Sequence, residues 1–329
     1  MSEFIGITGG MLILIAGGVL LVRGASQAAD SFGISPMMVG LVVVGFGTSM
    51  PELVVNAVSA LNNETELAFG NVVGSNIANL ALVLGVAALI SPLTLQGSLV
   101  RRELPLLILV TTIIAVMGLD NFLEGQDRII GRSDSIILLL LFSVFVYGLV
   151  LDLLRVDGTD HLLVEVSDHP KAVTPPASNW QWALILGGCA LLYFGGDLTV
   201  RSAAGMSAQL GVPAATVGLF VVAIGTSLPE LITSIIAALR GESDLAIGNV
   251  IGSNLFNSLV ALPTSGLIAT ITVPDGGITD LGVSWLLAIM LIPIFLLGKA
   301  RLDRPVGTMF VMAYLGYAAY RTVGSTVSF

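Results

Sequence analysis

The chain has 329 residues, and its 13 Lys and Arg with 22 Asp and Glu supply only 35 charges, about half the share of a soluble globular domain. Because 55% of its residues are hydrophobic, they exceed what one core buries, which excludes a soluble enzyme and predicts an integral membrane protein in a lipid bilayer. The net charge of −9 argues against a nucleic-acid partner, since such partners require basic patches.

Apolar runs separated by polar residues, Gly and Pro predict ten membrane-spanning helices, each of about 20 residues or more. The first run resembles a secretory signal peptide, but Glu3 stands where such a signal is positively charged, so we interpret it as a retained helix. The predicted spans are 5–27, 34–61, 66–90, 102–119, 134–154, 180–208, 212–239, 244–270, 281–299 and 306–323.

The two halves of the chain are copies of each other. Residues 33–82 align without a gap to residues 211–260, with 24 identities in 50 positions. Five spans per half force the second copy to enter the membrane from the opposite side, so we predict two inverted-topology five-helix repeats, 1–154 and 180–329. The connection 155–179 reads as a linker; a cation or pH sensor on its two histidines, His161 and His169, is less favoured because they lack a ligand spacing.

The distribution of Lys and Arg predicts the orientation in the membrane. Nine of the 13 cations fall on one side of the ten spans and four on the other. This places the linker 155–179 in the cytoplasm and both termini outside. The nine are Arg23, Arg101, Arg102, Arg155, Lys171, Arg240, Lys299, Arg301 and Arg304, and the four are Arg128, Arg132, Arg201 and Arg321.

Two carboxylates, Glu52 and Glu230, occur in the middle of predicted spans and at equivalent positions of the repeat. An ionisable group at membrane depth costs about 3 kcal/mol on insertion scales, so it indicates a functional cavity. The pseudo-two-fold axis of an inverted repeat brings such a pair together near the midplane, where transporters bind substrate. A purely structural role is less favoured because the arginines within spans lie nearer span ends.

Each glutamate follows a proline, Pro51 or Pro229, which cannot donate the helical hydrogen bond and should break the helix. The break frees backbone carbonyls, which are tolerated at this depth only around a cavity or within protein. Together with the hydroxyls of Ser49 and Ser227 they form an all-oxygen set, which suits Ca²⁺ or Na⁺ and disfavours zinc or copper. The freed carbonyls belong to Gly47, Thr48, Gly225 and Thr226.

Spans three and eight supply a second wall of the predicted cavity. Ser75 and Asn79 share a helix face, as do Ser253 and Asn257, and their neutral oxygens can complete a cation shell. Four further asparagines could be ligands, but interhelical hydrogen bonds are the favoured interpretation. These are Asn71, Asn76, Asn249 and Asn254.

Two other residues of span six have simpler interpretations. Asp197 lies one turn before Arg201, which favours an i,i+4 ion pair, and its repeat partner is Val19. The single cysteine, Cys189, cannot form an internal disulfide, and its apolar surroundings favour a small buried hydrophobic side chain over a reactive thiol.

The duplicated motifs resemble those of the cation/calcium antiporter superfamily, in its prokaryotic sodium/calcium exchanger branch. They are Gly47 to Glu52 with Gly74 to Asn79, and Gly225 to Glu230 with Gly252 to Asn257. The resemblance implies ten helices in two inverted halves, a prokaryotic inner membrane, and calcium held by Glu52, Glu230 and the carbonyls of Thr48 and Thr226. It implies sodium sites at Ser49, Ser75, Asn79, Ser227, Ser253 and Asn257.

One departure from the family concerns Asn79 and Asn257, because many members carry an acidic residue at one of these positions. Stoichiometry and counter-ion therefore stay open, although the Val that follows Gly70-Asn71, where proton-coupled relatives place Glu, favours sodium over protons. The hypothesis is alternating-access exchange of Ca²⁺ against Na⁺, without a cofactor or an obligate protein partner. The alternatives are a Ca²⁺/H⁺ antiporter and a passive cation channel; no motif for an intramembrane enzyme occurs in a span.

Overall fold

The computed structural model describes residues 2–94, 102–119, 128–155, 180–209, 223–274, 276–297 and 301–327. Nearly all of the predicted linker 155–179, with both histidines, lies outside the described residues. The first part of the predicted seventh span, 212–222, also lies outside them.

The described chain is mostly helical, and each helix overlaps a predicted span. The helices before the linker are α1 (Ser2–Phe32), α2 (Pro36–Thr48), α3 (Met50–Leu61), α4 (Thr65–Ile90), α5 (Leu104–Met117) and α6 (Arg132–Arg155). Those after it are α7 (Trp180–Gln209), α8 (Ala223–Thr226), α9 (Leu228–Leu239), α10 (Ser243–Ile268), α11 (Gly277–Leu297) and α12 (Arg304–Val327).

Several of these helices have the length and composition of membrane spans. Within the described residues, α1, α4, α6, α7, α10 and α11 are long and apolar enough to cross a membrane, and α2 with α3 adds a seventh if the bent pair is one span. The helices α5 and α9 are shorter and apolar. The chain is therefore a multi-pass membrane protein.

The expectation of an all-α fold needs a small correction, because the helix ends carry two short antiparallel ribbons. Strand β1 (Leu93–Thr94) pairs with β4 (Arg301–Leu302), and β2 (Ile129–Ile130) pairs with β3 (Ile271–Thr272). The pairing satisfies backbone groups where the helices stop. It also places the end of α4 beside the start of α12, and the start of α6 beside the end of α10.

Helices α1 and α7 pack antiparallel through glycines. A Cβ on Gly17 would lie 2.8 Å from the Leu192 nitrogen, and a Cβ on Gly195 would lie 2.8 Å from the Leu14 nitrogen. These contacts are reciprocal, since 17 and 195, like 14 and 192, are separated by the repeat offset of 178. Small residues allow this close approach of two backbones within a membrane.

Glycines also bring α2 against α10. A Cβ on Gly45 would lie 2.9 Å from the Ser253 nitrogen, and a Cβ on Gly248 would lie 2.6 Å from the Met37 oxygen. At Gly252 the added atom would meet the backbone of Leu41, with 2.7 Å to its carbonyl carbon. This contact sets the end of α2 beside the polar residues of α10.

The predicted helix breaks are confirmed, and they fall just before the prolines. Ser49 (φ −87°, ψ 7°) separates α2 from α3, which bend by 42°, and Ser227 (φ −87°, ψ 5°) separates α8 from α9. Pro51 and Pro229 then occupy the first turn of the following helix, where a missing N–H costs nothing. Each glutamate is therefore placed in the first turn of a new helix.

Far from the breaks, α11 and α12 are joined by a polar cluster. The Arg321 Nε lies 3.2 Å from Asp280 Oδ1, and the Tyr317 hydroxyl donates to the same oxygen at 3.0 Å. Asp280 is buried, so its charge is paired and hydrogen-bonded as a buried charge must be.

Candidate cation site

The two glutamates meet in the interior of the protein. Glu52 lies in the first turn of α3 and Glu230 in the first turn of α9. Both side chains are 0% exposed, and they are close enough for electrostatic repulsion. A helix N-terminus carries partial positive charge, which favours a carboxylate in its first turn. The broken helices thus offset part of the cost of placing two carboxylates at this depth.

Hydroxyl groups from both halves surround Glu230. Ser49 donates to Glu230 Oε1 at 2.9 Å, and Ser253 donates to the same oxygen at 3.4 Å. Thr48 Oγ1 lies 3.4 Å from Ser253 Oγ. Four predicted site residues are therefore in one hydrogen-bonded cluster, with Thr48 and Ser49 contributed by the first half and the other two by the second.

The oxygens of Glu52 lack such donors. Among the described residues neither Glu52 oxygen has a hydrogen-bond partner, and the same is true of Glu230 Oε2, although the Thr226 side chain interacts with Glu52. A buried carboxylate left without partners is costly, and in a native protein it calls for an explanation such as an ion. Three buried carboxylate oxygens are thus available to a cation.

Ser75, Asn79, Ser227 and Asn257 are buried but do not hydrogen-bond to either carboxylate within the described chain. The hydroxyls of Ser75 and Ser227, both amide atoms of Asn257 and Asn79 Oδ1 have no partner there. The Asn79 amide nitrogen instead donates to Asn254 Oδ1 at 3.2 Å. These side chains are oxygen-bearing and desolvated, as ligands of a hard cation are.

The prediction of interhelical hydrogen bonds for the other asparagines is confirmed. The Asn249 amide donates to Ser234 Oγ at 2.9 Å and to the Glu230 carbonyl at 3.2 Å, while its oxygen accepts from Thr48 Oγ1 at 3.1 Å. Each amide thus supports a helix that begins at a break. The equivalents in the other half are Asn71 to Asn56 Oδ1 at 2.7 Å, Asn71 to the Glu52 carbonyl at 3.5 Å, and Thr226 Oγ1 to Asn71 Oδ1 at 3.5 Å.

Asn76 and Asn254 tie α4 to α10. Asn76 donates to Ser258 Oγ at 2.9 Å, and Asn254 donates to the Asn76 carbonyl at 3.5 Å. The two helices that carry the second wall are therefore joined directly, which fixes their polar faces relative to the glutamates.

Both helices of the second wall contain a π-helical turn that includes the site asparagine, a feature that the sequence pattern did not indicate. One π-turn spans Ala78–Val83 in α4 and another spans Asn257–Ala261 in α10. A π-turn contains an extra residue, so the side chains that follow Asn79 and Asn257 are rotated from their positions on a regular α-helix. Such turns are frequent at functional sites.

Two cavities lie between α7 and the broken helices. The larger cavity, about 360 Å³, is lined by Gly47, Thr48, Met50, Pro51, Leu186, Cys189, Ala190, Leu192, Tyr193 and Pro229. The smaller cavity, about 170 Å³, is lined by Pro51, Val54, Val55, Leu192, Tyr193, Gly196, Asp197, Val200, Gly225, Thr226 and Pro229. Each cavity therefore borders the backbone just before a helix break, the larger at Gly47 and Thr48 and the smaller at Gly225 and Thr226.

Helix α7 lines both cavities although no residue of it was predicted as a site residue; its ionisable lining residues are Cys189, Tyr193 and Asp197. Cys189 was expected to be buried, but it is only half-buried and lines the larger cavity. Asp197 forms the expected pair with Arg201, at 2.7 Å, yet it also lines the smaller cavity beside Tyr193. Whether a side chain of α7 lines a cavity depends on how α7 packs against α3 and α9. No local sequence pattern predicts that packing.

The groups that converge at the candidate site are mainly oxygen donors. Within the described residues no three of His, Cys, Asp and Glu converge, so nitrogen or sulfur ligands do not dominate any cluster there. Carboxylate, carbonyl, hydroxyl and amide oxygens are what Ca²⁺ prefers, and zinc and copper prefer imidazole and thiolate.

Comparisons with known proteins find similarity to cation exchangers and antiporters. A family model described as sodium/calcium exchanger protein matches residues 2–151 and 180–323. The putative antiporter CaxA of Alkalimonas amylolytica is 36% identical over 314 residues, which cover 94% of this chain and 95% of that protein. Sodium/calcium exchanger MaX1 of Methanosarcina acetivorans is 26% identical, with 94% and 95% covered.

Solved structures show the same fold. The sodium-calcium exchanger NCX_Mj, in a structure soaked with 2.5 mM Na⁺ and 0.1 mM Ca²⁺, superposes with a TM-score of 0.81 and 26% identity. The superposition covers 97% of this chain and 98% of that one. The inner membrane protein YrbG of Escherichia coli is a further relative, 37% identical over 86% of this chain and 83% of its own length.

Proposed function

The chain belongs to the sodium/calcium exchanger family, a family of transporters and not of enzymes, and from that premise we propose that it exchanges Ca²⁺ for Na⁺ by alternating access. The ions bind in turn between Glu52 and Glu230. The observation that carries the proposal is the set of three unpartnered oxygens on these two buried carboxylates. In the same proposal, the freed carbonyls of Thr48 and Thr226 complete the calcium shell.

Exchange, as opposed to leak, follows from the repulsion between the glutamates. Two carboxylates held together in a low-dielectric site repel each other, so the empty site is costly with both ionised. Ca²⁺, sodium ions or protons relieve the repulsion. Without a bound cation, the protein should therefore switch only slowly between its inward-facing and outward-facing states. A bound cation is needed each time that it switches.

Sodium sites are proposed at the hydroxyls and amides around the glutamates. The buried, unpartnered oxygens of Ser75, Ser227 and Asn257 support this assignment. Because Asn79 and Asn257 are neutral, the site carries two carboxylates and not three, and one Ca²⁺ or two Na⁺ balance their charge. The full proposed set is Ser49, Ser227, Ser75, Ser253, Asn79 and Asn257.

The proposed architecture has ten spans in two inverted five-helix halves, 1–154 and 180–329, joined by the linker 155–179. The reciprocal glycine contacts of α1 with α7, the paired breaks and the equivalent asparagine bonds support it. By the positive-inside count, the linker is cytoplasmic and both termini are outside. The proposed location is the prokaryotic inner membrane, for which the relative named inner membrane protein YrbG gives support. Helices α1 and α7 are the proposed moving element.

Flux measurements in proteoliposomes test the proposed function. Vesicles loaded with Na⁺ are diluted into buffer containing ⁴⁵Ca²⁺, with Na⁺, K⁺ and H⁺ gradients imposed separately. We expect uphill Ca²⁺ uptake that requires the Na⁺ gradient. Uptake driven by a proton gradient alone would make the protein a Ca²⁺/H⁺ antiporter, and flux only down the Ca²⁺ gradient would make it a passive channel.

Acidification is expected to inhibit Ca²⁺ transport, because a protonated carboxylate cannot bind the ion. Lowering the pH from about 8 to about 5 approaches the ordinary range of Glu, so protons should compete with Ca²⁺ for Glu52 and Glu230. The initial rate of ⁴⁵Ca²⁺ uptake should fall at low Ca²⁺ and recover when Ca²⁺ is raised. A rate that stays constant down to pH 5 at low Ca²⁺ contradicts the assignment.

A further inference from the structure

One acidic side chain, Asp197, lines the smaller of the two cavities. Among the described residues that line them, Asp197 in the smaller cavity is the only ionisable group apart from Tyr193 and Cys189. The same cavity is lined by Gly225 and Thr226, the end of α8, and Thr226 interacts with Glu52. A carboxylate on one part of the wall is therefore joined by open space to the neighbourhood of the cation site.

The partner of Asp197 does not neutralise the cavity permanently. Arg201 Nε contacts Asp197 Oδ1 at 2.7 Å, but the Arg201 side chain is 79% exposed and does not line the cavity. An exposed i,i+4 ion pair is weak and is easily screened or displaced. A divalent cation entering the cavity can therefore displace Arg201 from Asp197.

The two cavities differ in this respect. The larger cavity has no acidic residue among the described residues that line it, and the repeat partner of Asp197 is Val19. The exchange site takes one glutamate from each half of the chain. An acidic residue that occurs in only one half therefore indicates a role outside that site. Clefts lined by one sign of charge raise the local concentration and association rate of a counter-ion by about 10- to 1,000-fold.

We propose that Asp197 captures cations for the exchange site from one membrane face, the face at which α7 ends, and that Arg201 competes with them and keeps the capture reversible. The proposal rests on the proposed function. In this role Asp197 attracts the cation by its charge on the way to the exchange site, and it is not a ligand of that site. Capture should therefore affect the rate at low Ca²⁺ and not the maximal rate.

Two variants separate capture from helix stabilisation. Asp197→Asn removes the attracting charge and Arg201→Gln removes the competing one, so capture predicts opposite effects on the Na⁺-driven ⁴⁵Ca²⁺ rate at low Ca²⁺. We expect a decrease of about threefold for the first and an increase for the second at low ionic strength. A stabilising ion pair is broken by either variant, so it predicts changes of the same sign.

The assay uses right-side-out and everted membrane vesicles, so that each face is tested. The effects should appear in one preparation only and should shrink in choline chloride at 1 M, where the Debye length is about 3 Å. Asp303→Asn is the control, since Asp303 forms an exposed ion pair with Arg301 and lines neither cavity. Its rate should stay unchanged.

The possible failures are distinguishable. A wild-type protein without Na⁺-driven Ca²⁺ flux overturns the proposed function itself. Normal wild-type flux with equal losses in both variants, or with no change in either, overturns the capture role of Asp197 alone. Equal effects at both faces also overturn it, because the proposal assigns capture to one membrane face.

Discussion

Vesicles carrying Glu52→Gln are expected to lose Na⁺-driven Ca²⁺ uptake. Glutamine keeps the shape of the side chain but removes one of the two charges that balance Ca²⁺ in a buried site. Removing one partner of a buried ionic contact costs about 3–5 kcal/mol, roughly a 100-fold to 1,000-fold loss of affinity or more. The measurement is the initial rate of ⁴⁵Ca²⁺ uptake into Na⁺-loaded proteoliposomes.

Ca²⁺ binding can be followed independently of transport. An ion that binds only the folded protein raises its melting temperature, so Ca²⁺ should stabilise the wild-type protein and not Glu52→Gln. Glu230→Gln should behave alike, because Glu230 also offers an unpartnered oxygen. Glu64→Gln is the matched control, since Glu64 is exposed. Retained flux in Glu52→Gln at wild-type Ca²⁺ concentrations would remove Glu52 from the site.

The location of the site could be predicted from the sequence because its determinants are local. Pro51 and Pro229 remove a helical hydrogen bond wherever they occur in a span, and the breaks at Ser49 and Ser227 follow. A carboxylate next to a break in a membrane span has few alternatives to a cavity. The asparagine bonds were predictable for the same reason, since a buried amide must find partners.

The shape of the site could not be predicted, because it depends on packing between distant segments. Cys189 and Asp197 line cavities only because α7 lies against α3 and α9. The π-turns that begin near Asn79 and at Asn257 have no sequence signal that distinguishes them from regular helix. They rotate the side chains that follow Asn79 and Asn257 along each helix.

Gly252→Ala is expected to disable the protein through the backbone and not through the site itself. The added Cβ would overlap the carbonyl oxygen of Leu41 and lie 2.7 Å from its carbonyl carbon, and backbone atoms cannot rotate away. Overpacking of this kind costs about 1–3 kcal/mol or more. We expect a lower melting temperature in detergent and a loss of Na⁺-driven Ca²⁺ flux larger than the fall in folded protein.

The loss of flux follows from what the glycine positions. Gly252 precedes Ser253, and the approach of α2 to α10 allows Thr48 and Ser49 to reach Ser253 and Glu230. Separating the helices breaks those bonds even in the molecules that fold. Gly282→Ala is the control: Gly282 is exposed on α11, a Cβ there meets no described atom within 4 Å, and alanine favours the helix by about 1 kcal/mol. Unchanged melting and flux in Gly252→Ala would show that the two helices do not need this contact to hold the glutamates in place.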